Sequence, residues 1–284
     1  MIVVTGATGR LGQLVIDGLL QRVPAAQIIA AVRTPEKAAP LAARGVTVRR
    51  ADYDEPGQLS AAFTGADRML LISSNDPRRS VAQHTAVIEA ARQAGVGQLA
   101  YTSLCHADTS TLLTAVPHRL TEPVIRDSGL VYTFLRNNLY TDHYALQIKQ
   151  AAKSGVFIGS AGTGRVASAT RADYATAAVA VLTGEGHENK TYELGGDVAW
   201  SYAELAEVLS KATGQEITYQ AVSAAEHAEL LVAAGIPRIA ADLFTDTYAG
   251  IADGQLADAT GQLSAVIGRP TTSLAAAVAA ILDS

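Results

Sequence analysis

The sequence predicts a doubly wound α/β fold, in which a parallel sheet carries helices on both faces and a small, mainly helical C-terminal cap follows. Two observations lead to this prediction. Short apolar strands alternate with longer helical stretches from residue 2 to about residue 136, and this alternation requires right-handed crossovers between parallel strands. The first strand also runs directly into the glycine-rich segment 6–12, which opens the first helix as in dinucleotide-binding Rossmann folds.

The elements of this first part follow one another in a regular order. Buried strands are predicted at residues 2–5, 27–32, 46–50, 68–72, 98–101 and 131–135. Helices between them are predicted at residues 11–22, 35–44, 80–94 and about 114–127. Thr34 and Pro35 supply a start signal for the second of these helices, and Gly45 supplies its end.

The pattern loosens after Arg136. Thr170 and Asp173 indicate the start of a helix, residues 190–194 read as a further strand, and Ser201 with Glu204 has the signature of a capping box. The last part of the chain is mostly an alanine-rich helical pattern. We therefore expect a dinucleotide-binding core at residues 1–153, and at 154–284 the remaining core strand or strands plus a small substrate-side cap packed tightly on the core.

Composition and charge exclude several classes of protein. The formal net charge of -5 gives no broad basic surface for nucleic acid or anionic lipid. Cys105 is the only cysteine, which excludes an intrachain disulfide. Since no His–Asp pair that would activate it can be inferred, we expect Cys105 to be a packing residue rather than a nucleophile. The histidines show no spacing typical of a metal site. No apolar run approaches the roughly 20 residues of a membrane helix. Without a basic leader, the expected compartment is the cytoplasm.

Three glycines, Gly6, Gly9 and Gly12, are spaced G-x-x-G-x-x-G between the first strand and the first helix. Glycines there permit a tight turn and a close approach of the backbone to a ligand, and a helix N-terminus favours a pyrophosphate. The alternative is an ordinary strand-to-helix turn, but the doubly wound pattern that follows favours a dinucleotide. The predicted pyrophosphate-binding segment is Gly6, Ala7, Thr8, Gly9, Arg10, Leu11 and Gly12.

Arg33 closes the second strand, about 20 residues past the glycine loop. An acidic residue at this position would bind the ribose 2′-hydroxyl, whereas a guanidinium pairs bidentately with a 2′-phosphate. Arg10, inside the loop, is in a position to assist. The alternative is an exposed arginine at a strand end. We predict NADP, preferably as NADPH, as the cofactor.

The Tyr-x-x-x-Lys pair that many related folds use for proton transfer is absent from the sequence. None of the residues four positions before a lysine is a tyrosine; the lysines are Lys37, Lys149, Lys153, Lys190 and Lys211. Oxidation of an alcohol needs such a base, but transfer of hydride to a strong electrophile such as a quinone does not. Catalysis then depends on holding the nicotinamide against the acceptor, for which a dry cleft between sheet and cap is suited.

His118 and Glu122 lie where that pair would stand, on the helix after the fifth strand. Their i, i+4 spacing puts them on one helix face. One interpretation is a histidine that faces the substrate and is oriented by the glutamate. The other is a solvated polar face of the helix.

Several long runs of the sequence resemble one family. These are "VTGATGRLGQLVI", "VPAAQIIAAVR", "YTSLCHADTS", "YTFLRNNLYTDHY", "GVFIGSAGTGRVASATRADYA" and "GHENKTYELGGDVAW". They are similar to the NmrA-like atypical short-chain dehydrogenases/reductases, and within them to bacterial NADPH-dependent quinone reductases and triphenylmethane-dye reductases. The resemblance covers essentially the whole chain. Position 10 is Arg where these enzymes are associated with Gln.

The resemblance implies further site residues. Ile72, Ser73 and Ser74 would border the adenosine and ribose, and Tyr101 would border the acceptor pocket. The residues expected to line the nicotinamide and acceptor pocket are Asn137, Asn138, Leu139, Tyr140 and Thr141. Tyr101, Asn137 and Tyr140 are the expected substrate contacts, and the candidates for a catalytic group are Tyr101, His118 and Asn137.

The fold alone leads to the same edge of the sheet, because ligands bind outside the carboxyl ends of parallel strands. The residues at such ends are Thr5, Arg33, Ser73, Tyr101 and Asn137. The alternative for each is an ordinary loop residue. Asp52, after the third strand, is a candidate for a contact with adenine.

The function predicted from the sequence is direct two-electron reduction of a quinone by NADPH, without a flavin or a metal. A redox sensor of the NmrA-like type, which binds NADP without turnover, is the alternative from another class. Reduction of azo or triphenylmethane dyes is the alternative within the enzymes, since it needs the same hydride geometry and a larger pocket. A homodimer is left open.

Overall fold

A computed structural model of the chain describes residues 1–74, 76 and 78–284. The strands are β1 (Ile2–Thr5), β2 (Ile28–Val32), β3 (Thr47–Arg50), β4 (Arg68–Leu71), β5 (Gln98–Leu104), β6 (Val131–Asn137), β7 (Val156–Gly159), β8 (Arg165–Val166), β9 (Lys190–Leu194), β10 (Trp200–Ser201) and β11 (Thr218–Ala221). The helices are α1 (Arg10–Leu19), α2 (Ala39–Ala42), α3 (Pro56–Phe63), α4 (Ser80–Gln93), α5 (Val116–Asp127), α6 (Ala145–Ser154), α7 (Arg171–Thr183), α8 (Tyr202–Thr213), α9 (Ala224–Ala233), α10 (Arg238–Ala252), α11 (Gln262–Ile267) and α12 (Leu274–Leu282). Short 3-10 turns occupy Ala25–Gln27, Pro35–Ala38, Leu113–Ala115 and Thr141–Tyr144.

Seven strands form the main sheet, in the order β3-β2-β1-β4-β5-β6-β9. Neighbouring strands from β3 to β6 pair in parallel. The last strand, β9, runs the same way, since Asn189 N donates to Tyr132 O at one end and Asn138 N donates to Leu194 O at the other. From β1 the chain adds strands outward to β3 on one side of the sheet, and from β4 it adds strands outward on the other side. Doubly wound folds bind their ligands at this switch point between β1 and β4. The predicted fold class is confirmed.

Helices cover both faces of this sheet, and this is why its central strands are apolar at nearly every position. Every residue of β1 and β2 is buried. One face packs Val3, Leu99 and Tyr101 against side chains of α3, α4 and α5. On the other side, α1 packs against α7 so closely that a Cβ on Gly18 would lie 2.8 Å from Val179 Cγ2.

The chain divides into two compact units that interleave along the sequence. The first unit comprises residues 1–108, 117–137 and 171–193, and the second comprises residues 109–116, 138–170 and 194–284. The first unit contains nearly all of the main sheet. The contiguous division predicted at residue 153 is not tested by these units and stays a prediction.

The second unit has a core of its own, built around the fully buried Tyr202. Its ring lies edge-on or tilted against the rings of Tyr144, Phe157, Trp200 and Tyr248 at centroid distances between 5.2 and 5.8 Å. Two small sheets, β7 with β11 and β8 with β10, join helices α6 and α8–α12 in this unit. The predicted capping box is confirmed, since Ser201 Oγ accepts from Glu204 N and Glu204 Oε2 accepts from Ser201 N.

Three of the predicted elements described above differ in their extent or type from the structure. The single helix expected at residues 35–44 is a 3-10 turn followed by the short α2, and Thr34 makes no side-chain cap. Pro40 explains the break, because it has no N–H to continue a helix begun at Pro35. The fifth and sixth strands also extend further than predicted, to Leu104 and Asn137. No helix within residues 1–74, 76 and 78–284 is both long and apolar enough to cross a membrane.

Candidate functional site

The glycine loop has the geometry of a close-packed turn. Gly6 lies at φ +58, a left-handed conformation that favours glycine, and its carbonyl oxygen accepts a hydrogen bond from Gly9 N at 2.9 Å. A Cβ on Gly12 would overlap Gly6 O and lie 2.7 Å from Ala7 Cα. The first turn of α1 therefore lies directly on the loop, with no room for a side chain between them.

The N-terminus of α1 is open to an anion. Its N-cap is Gly9, so no side chain caps the first amides of this ten-residue helix, and Gly9 and Arg10 are exposed. The first amides of a helix have no intrahelical acceptor, and the helix dipole favours negative charge there. Ala7 and Leu11 are buried, so they offer a ligand backbone groups rather than side chains. The loop fits a pyrophosphate.

Arg33 and Arg10 provide positive charge near this loop. Both side chains are exposed, and neither forms a hydrogen bond or ion pair with another residue in the part of the chain that the structure describes. Arg50, at the end of the next strand, is by contrast bound to Glu55 at 2.7 Å. An exposed guanidinium without an acidic partner at the end of β2 fits a 2′-phosphate. Asp52, proposed to contact adenine, accepts a hydrogen bond from Asp54 N at 3.1 Å.

The segment after β4, predicted to border adenosine and ribose, is fixed by hydrogen bonds from neighbouring strands. Ile72 N donates to Thr5 Oγ1 at 3.1 Å, and the same oxygen accepts from Tyr53 OH at 2.6 Å. Ser73 N donates to Thr102 Oγ1 at 2.8 Å. Because its hydroxyl binds these groups, Thr5 positions the segment. The predicted contacts of Ile72, Ser73 and Ser74 with a nucleotide stay predictions.

A buried chain of polar groups leads from this segment to α5. Ser74 N donates to His84 Nε2 at 2.8 Å, so the ring hydrogen of His84 lies on Nδ1, which donates to Thr121 Oγ1 at 2.9 Å. The hydroxyl of Tyr101 lies within hydrogen-bond distance of His118 Nδ1, at 2.8 Å. His118 is thus held by the core through Tyr101.

Both histidines of this chain are neutral at neutral pH. Burial, with a smaller contribution from His118, lowers the pKa of His84 to about 3. Burial likewise lowers the pKa of His118 to about 4, although Glu122 opposes this. The ring of Tyr101 is 0% exposed, because strand alternation turns it to the face covered by α4 and α5. It offers an acceptor no exposed surface, and its contact with a substrate stays a prediction.

Glu122 has a different partner from the one predicted. Its carboxylate accepts two hydrogen bonds from Arg136, at 2.8 and 2.7 Å, and one from Ser103 Oγ at 2.7 Å. Glu122 and Arg136 are both buried. Because these partners occupy the carboxylate, the interpretation that Glu122 orients His118 is wrong. The interpretation of a solvated helix face is also wrong, because Glu122 is buried and pairs with the buried Arg136.

The same arginine binds two more acids, one near the carboxyl end of the edge strand β9 and one in the turn after β5. Arg136 Nη1 lies 2.7 Å from Glu193 Oε1 and 3.1 Å from Asp108 Oδ1. This cluster was missed in the sequence. Its signal is the charged Arg136 within the otherwise uncharged strand "VYTFLRN", since a charge in a buried strand requires partners.

Asn137 and Cys105 join the ends of β5 and β6. Asn137 is buried, and its carbonyl oxygen accepts from Cys105 N at 3.1 Å. Cys105 is also buried, as expected. Asn138, Leu139, Tyr140 and Thr141 belong to the second unit.

Within the second unit, Asn138 Nδ2 donates to Leu256 O at 3.0 Å, and Thr141 Oγ1 lies 2.8 Å from Ser168 Oγ. Their expected contacts with nicotinamide, like those of Leu139 and Tyr140, stay predictions. Among the residues that the structure describes, no group of His, Cys, Asp and Glu side chains is arranged to hold a metal ion.

The doubly wound sheet, the glycine loop and the exposed Arg33 together define a dinucleotide-binding protein of the Rossmann class. The model of the NmrA-like family matches residues 1–249. The chain therefore belongs to the NmrA-like family, and the resemblance stated from the sequence is confirmed.

Two curated relatives match almost the entire chain. Quinone oxidoreductase 2 of Escherichia coli (strain K12) is 49% identical over 283 residues, which cover 100% of this chain and 99% of that protein. The NAD(P)H azoreductase of Xenophilus azovorans is 31% identical over 97% of this chain and 96% of its own length.

Solved structures match equally well. The Escherichia coli NADPH-dependent quinone oxidoreductase complexed with NADPH superposes with a TM-score of 0.97 at 49% identity, over 99% of this chain and 100% of that one. The triphenylmethane reductase of Citrobacter sp. complexed with NADP(H) gives a TM-score of 0.96 at 43% identity, again over 99% and 100% of the two chains.

Proposed function

We propose that this chain is an NADPH-dependent quinone oxidoreductase that reduces quinones to hydroquinones by direct hydride transfer. The observation that carries this proposal is the 49% identity, over the full length, to a quinone oxidoreductase whose structure contains NADPH. The absence of a Tyr-x-x-x-Lys pair agrees with it, because a quinone is reactive enough to accept hydride without such a pair.

The first unit supplies the groups that would hold NADPH. The amides of the loop and of the first turn of α1 bind the pyrophosphate, and Gly12 lets the helix approach it. Arg33 binds the 2′-phosphate, with Arg10 as a second cation. Ile72, Ser73 and Ser74, fixed by Thr5, Thr102 and His84, border the adenosine and ribose.

When bound, NADPH supplies the hydride. The chain's own task is to hold the nicotinamide and the acceptor in contact and to exclude water. Asn137, at the carboxyl end of β6, is the residue of the first unit that we assign to the nicotinamide side, and Asn138, Leu139, Tyr140 and Thr141 follow it in sequence. No flavin is needed for this step.

Reduction of dyes is the second candidate function. It is favoured by the 43% identity and TM-score of 0.96 to a triphenylmethane reductase and by the 31% identity to an azoreductase. The chemistry is the same hydride transfer to a larger electrophile, so the acceptor pocket decides between the two functions.

A comparison of acceptors tests the proposal. Purified protein is mixed with NADPH and with a benzoquinone, an azo dye or a triphenylmethane dye, and loss of the nicotinamide absorbance is followed for each. We expect saturable turnover that is fastest with the quinone and weak with NADH. Tight binding of NADPH without turnover on any acceptor would overturn the proposed enzymatic activity. It would favour the alternative of a redox sensor that binds NADP without turnover. Faster turnover of a dye than of any quinone would favour the second function.

Assembly and location are further proposals. A homodimer, which the sequence left open, is tested by light scattering at the concentrations used for activity. A cytoplasmic location, expected from the sequence, is tested by fractionation of cells that produce the chain. Recovery of the activity in another fraction would contradict it.

A further inference from the structure

His106 lies in the turn that follows the carboxyl end of β5, in the first unit. Its backbone has a φ of 51, in the left-handed region that residues other than glycine rarely adopt. Such a conformation is unfavourable for a residue with a side chain and persists only where its surroundings enforce it. Here His106 N donates to Glu193 Oε2 at 2.9 Å, and the preceding Cys105 N donates to Asn137 O at 3.1 Å.

The same glutamate also lies beside the ring of His106. His106 Nδ1 is 3.9 Å from Glu193 Oε1, and the side chains are 31% and 19% exposed. At this distance the carboxylate is too far from the ring nitrogen for a hydrogen bond, and its influence on the imidazole is electrostatic. One nitrogen of His106 thus faces a carboxylate, while the side chain remains in contact with solvent.

Glu193 is itself held in place. Arg136 Nη1 binds Glu193 at 2.7 Å and Asp108 at 3.1 Å, and the rest of its guanidinium is bound by the buried Glu122. Glu193 from β9 is thus linked through Arg136 of β6 to Glu122 of α5 and to Asp108 of the turn that carries His106. This network of charged groups holds Glu193, which in turn accepts the hydrogen bond from His106 N.

We propose that His106 is the proton donor to the acceptor as it is reduced. This inference rests on the proposed function and deepens it, because it names the group that supplies the proton to the reduced acceptor. His106 lies at the edge of the sheet where the acceptor is expected, beyond the ends of β5 and β6. His118, the earlier candidate, has its Nδ1 bound to the hydroxyl of the buried Tyr101.

The step balances in atoms and charge. The acceptor gains hydride, and with it two electrons, while the dihydronicotinamide C–H bond breaks and the ring is oxidised to NADP⁺. Negative charge develops on a quinone oxygen. An N–H bond of protonated His106 breaks as the O–H bond forms, which gives the hydroquinone. His106 then regains a proton from solvent, which reaches its partly exposed side chain.

The main test is His106→Asn. Asparagine tolerates left-handed backbone conformations, so this variant removes the acid but keeps the turn. Wild type is expected to slow as the pH rises, because the proposed step consumes a proton from the donor. His106→Asn is expected to lower kcat by about tenfold or more at low pH and to lose this dependence, while NADPH binds as before. His187→Asn, at a histidine bound to Tyr192 and away from this turn, is the matched control and should leave both properties unchanged.

A binding experiment tests the proton donor without turnover. 4-Nitrophenol resembles the product, and its phenol and phenolate forms absorb differently. In wild type with NADP⁺ we expect bound nitrophenolate to shift toward the protonated or hydrogen-bonded form. In His106→Asn the bound spectrum should remain that of the phenolate.

The outcomes separate the two proposals. An unchanged kcat and pH profile in His106→Asn, or no spectral difference between the two proteins, overturns His106 as the donor even if quinone turnover is high. Absence of quinone turnover in wild type overturns the proposed function, whereas a spectral difference that depends on His106 still supports the donor.

Glu193→Gln should lower kcat less than His106→Asn and leave the KM for NADPH unchanged, as expected of a positioning residue.

Discussion

Replacement of Gly12 by alanine tests whether the loop and the first helix form one rigid cradle. The new Cβ would overlap Gly6 O and lie 2.7 Å from Ala7 Cα, whereas carbon atoms pack at about 3.5–4.0 Å. Backbone atoms must therefore move by about 1 Å. Overpacking of this kind costs about 1–3 kcal/mol, and alanine regains about 0.5–1 kcal/mol over glycine in a helix.

The net expectation for Gly12→Ala is a loss of about 1–2 kcal/mol in the free energy of unfolding. The movement falls on Gly6 and Ala7, which belong to the pyrophosphate loop, so NADPH should bind at least about tenfold more weakly, equal to about 1.4 kcal/mol. Urea unfolding measures the first quantity, and fluorescence titration with NADPH measures the second.

Gly57→Ala is the matched control. Gly57 lies in the first turn of α3, and a Cβ there would meet nothing within 4 Å. The same substitution should stabilise the protein by about 0.5–1 kcal/mol and leave NADPH binding unchanged. Wild-type affinity for NADPH in Gly12→Ala would refute the argument that the helix packs on the loop to form the site.

Four further predictions concern named side chains. Arg33→Ala should weaken NADPH binding by about 1.5–3 kcal/mol, since a charge-assisted contact is lost, with NADH affected little; equal losses by titration calorimetry would contradict the assignment. Asn137→Ala should lower kcat more than it raises the Kd for NADPH, because positioning matters most in the transition state; a pure binding defect would place the nicotinamide elsewhere. His118→Ala should reduce stability by about 1–3 kcal/mol, because the buried Tyr101 hydroxyl loses a hydrogen-bond partner, yet lower kcat less than tenfold; a hundredfold loss of kcat would make His118 a catalytic acid. As the pH falls from about 6.5 toward 4, wild type should lose stability, because the unfolded chain protonates His118 while the folded chain, with a pKa of about 4, does not; His118→Ala should flatten this slope in urea unfolding, and an unchanged slope would contradict it.

The doubly wound core was predictable because its signals are local. Strands buried on both faces are continuous apolar runs, and the alternation of strands with helices leaves few topologies. The strand at 190–194 and the Ser201–Glu204 capping box were found in the same way. Local signals were weaker for the two-stranded sheets of the second unit, since β8 and β10 contain only two residues each.

The glycine loop and Arg33 were predictable for a related reason. Both lie at strand ends that the fold brings to one edge of the sheet. Glycine permits close approach of the backbone to a pyrophosphate, and arginine pairs with a 2′-phosphate. The structure adds that no described residue pairs with Arg33, which a single sequence does not reveal.

The partners of buried polar side chains were not predictable. His118 and Glu122 share a helix face by spacing, but Glu122 binds Arg136, 14 residues away, and His118 binds Tyr101. These pairings depend on which strand lies under the helix and on which residues of that strand point toward the helix. The left-handed turn at His106 gave no sequence signal either, because glycine is absent there and the strain is enforced by Glu193.

The central claim is direct transfer of hydride from NADPH to a quinone by this chain alone. The measurement that tests it most directly is a single turnover by flavin-free protein with NADPH carrying deuterium at the transferred position. We predict that one hydroquinone forms for each NADPH consumed. We also predict that the reaction is slower when the deuterium lies on one particular face of the nicotinamide, and that deuterium on the other face has no such effect. Turnover that appears only after FAD or FMN is added, or bound NADPH that stays unoxidised in the presence of the quinone, would contradict the claim.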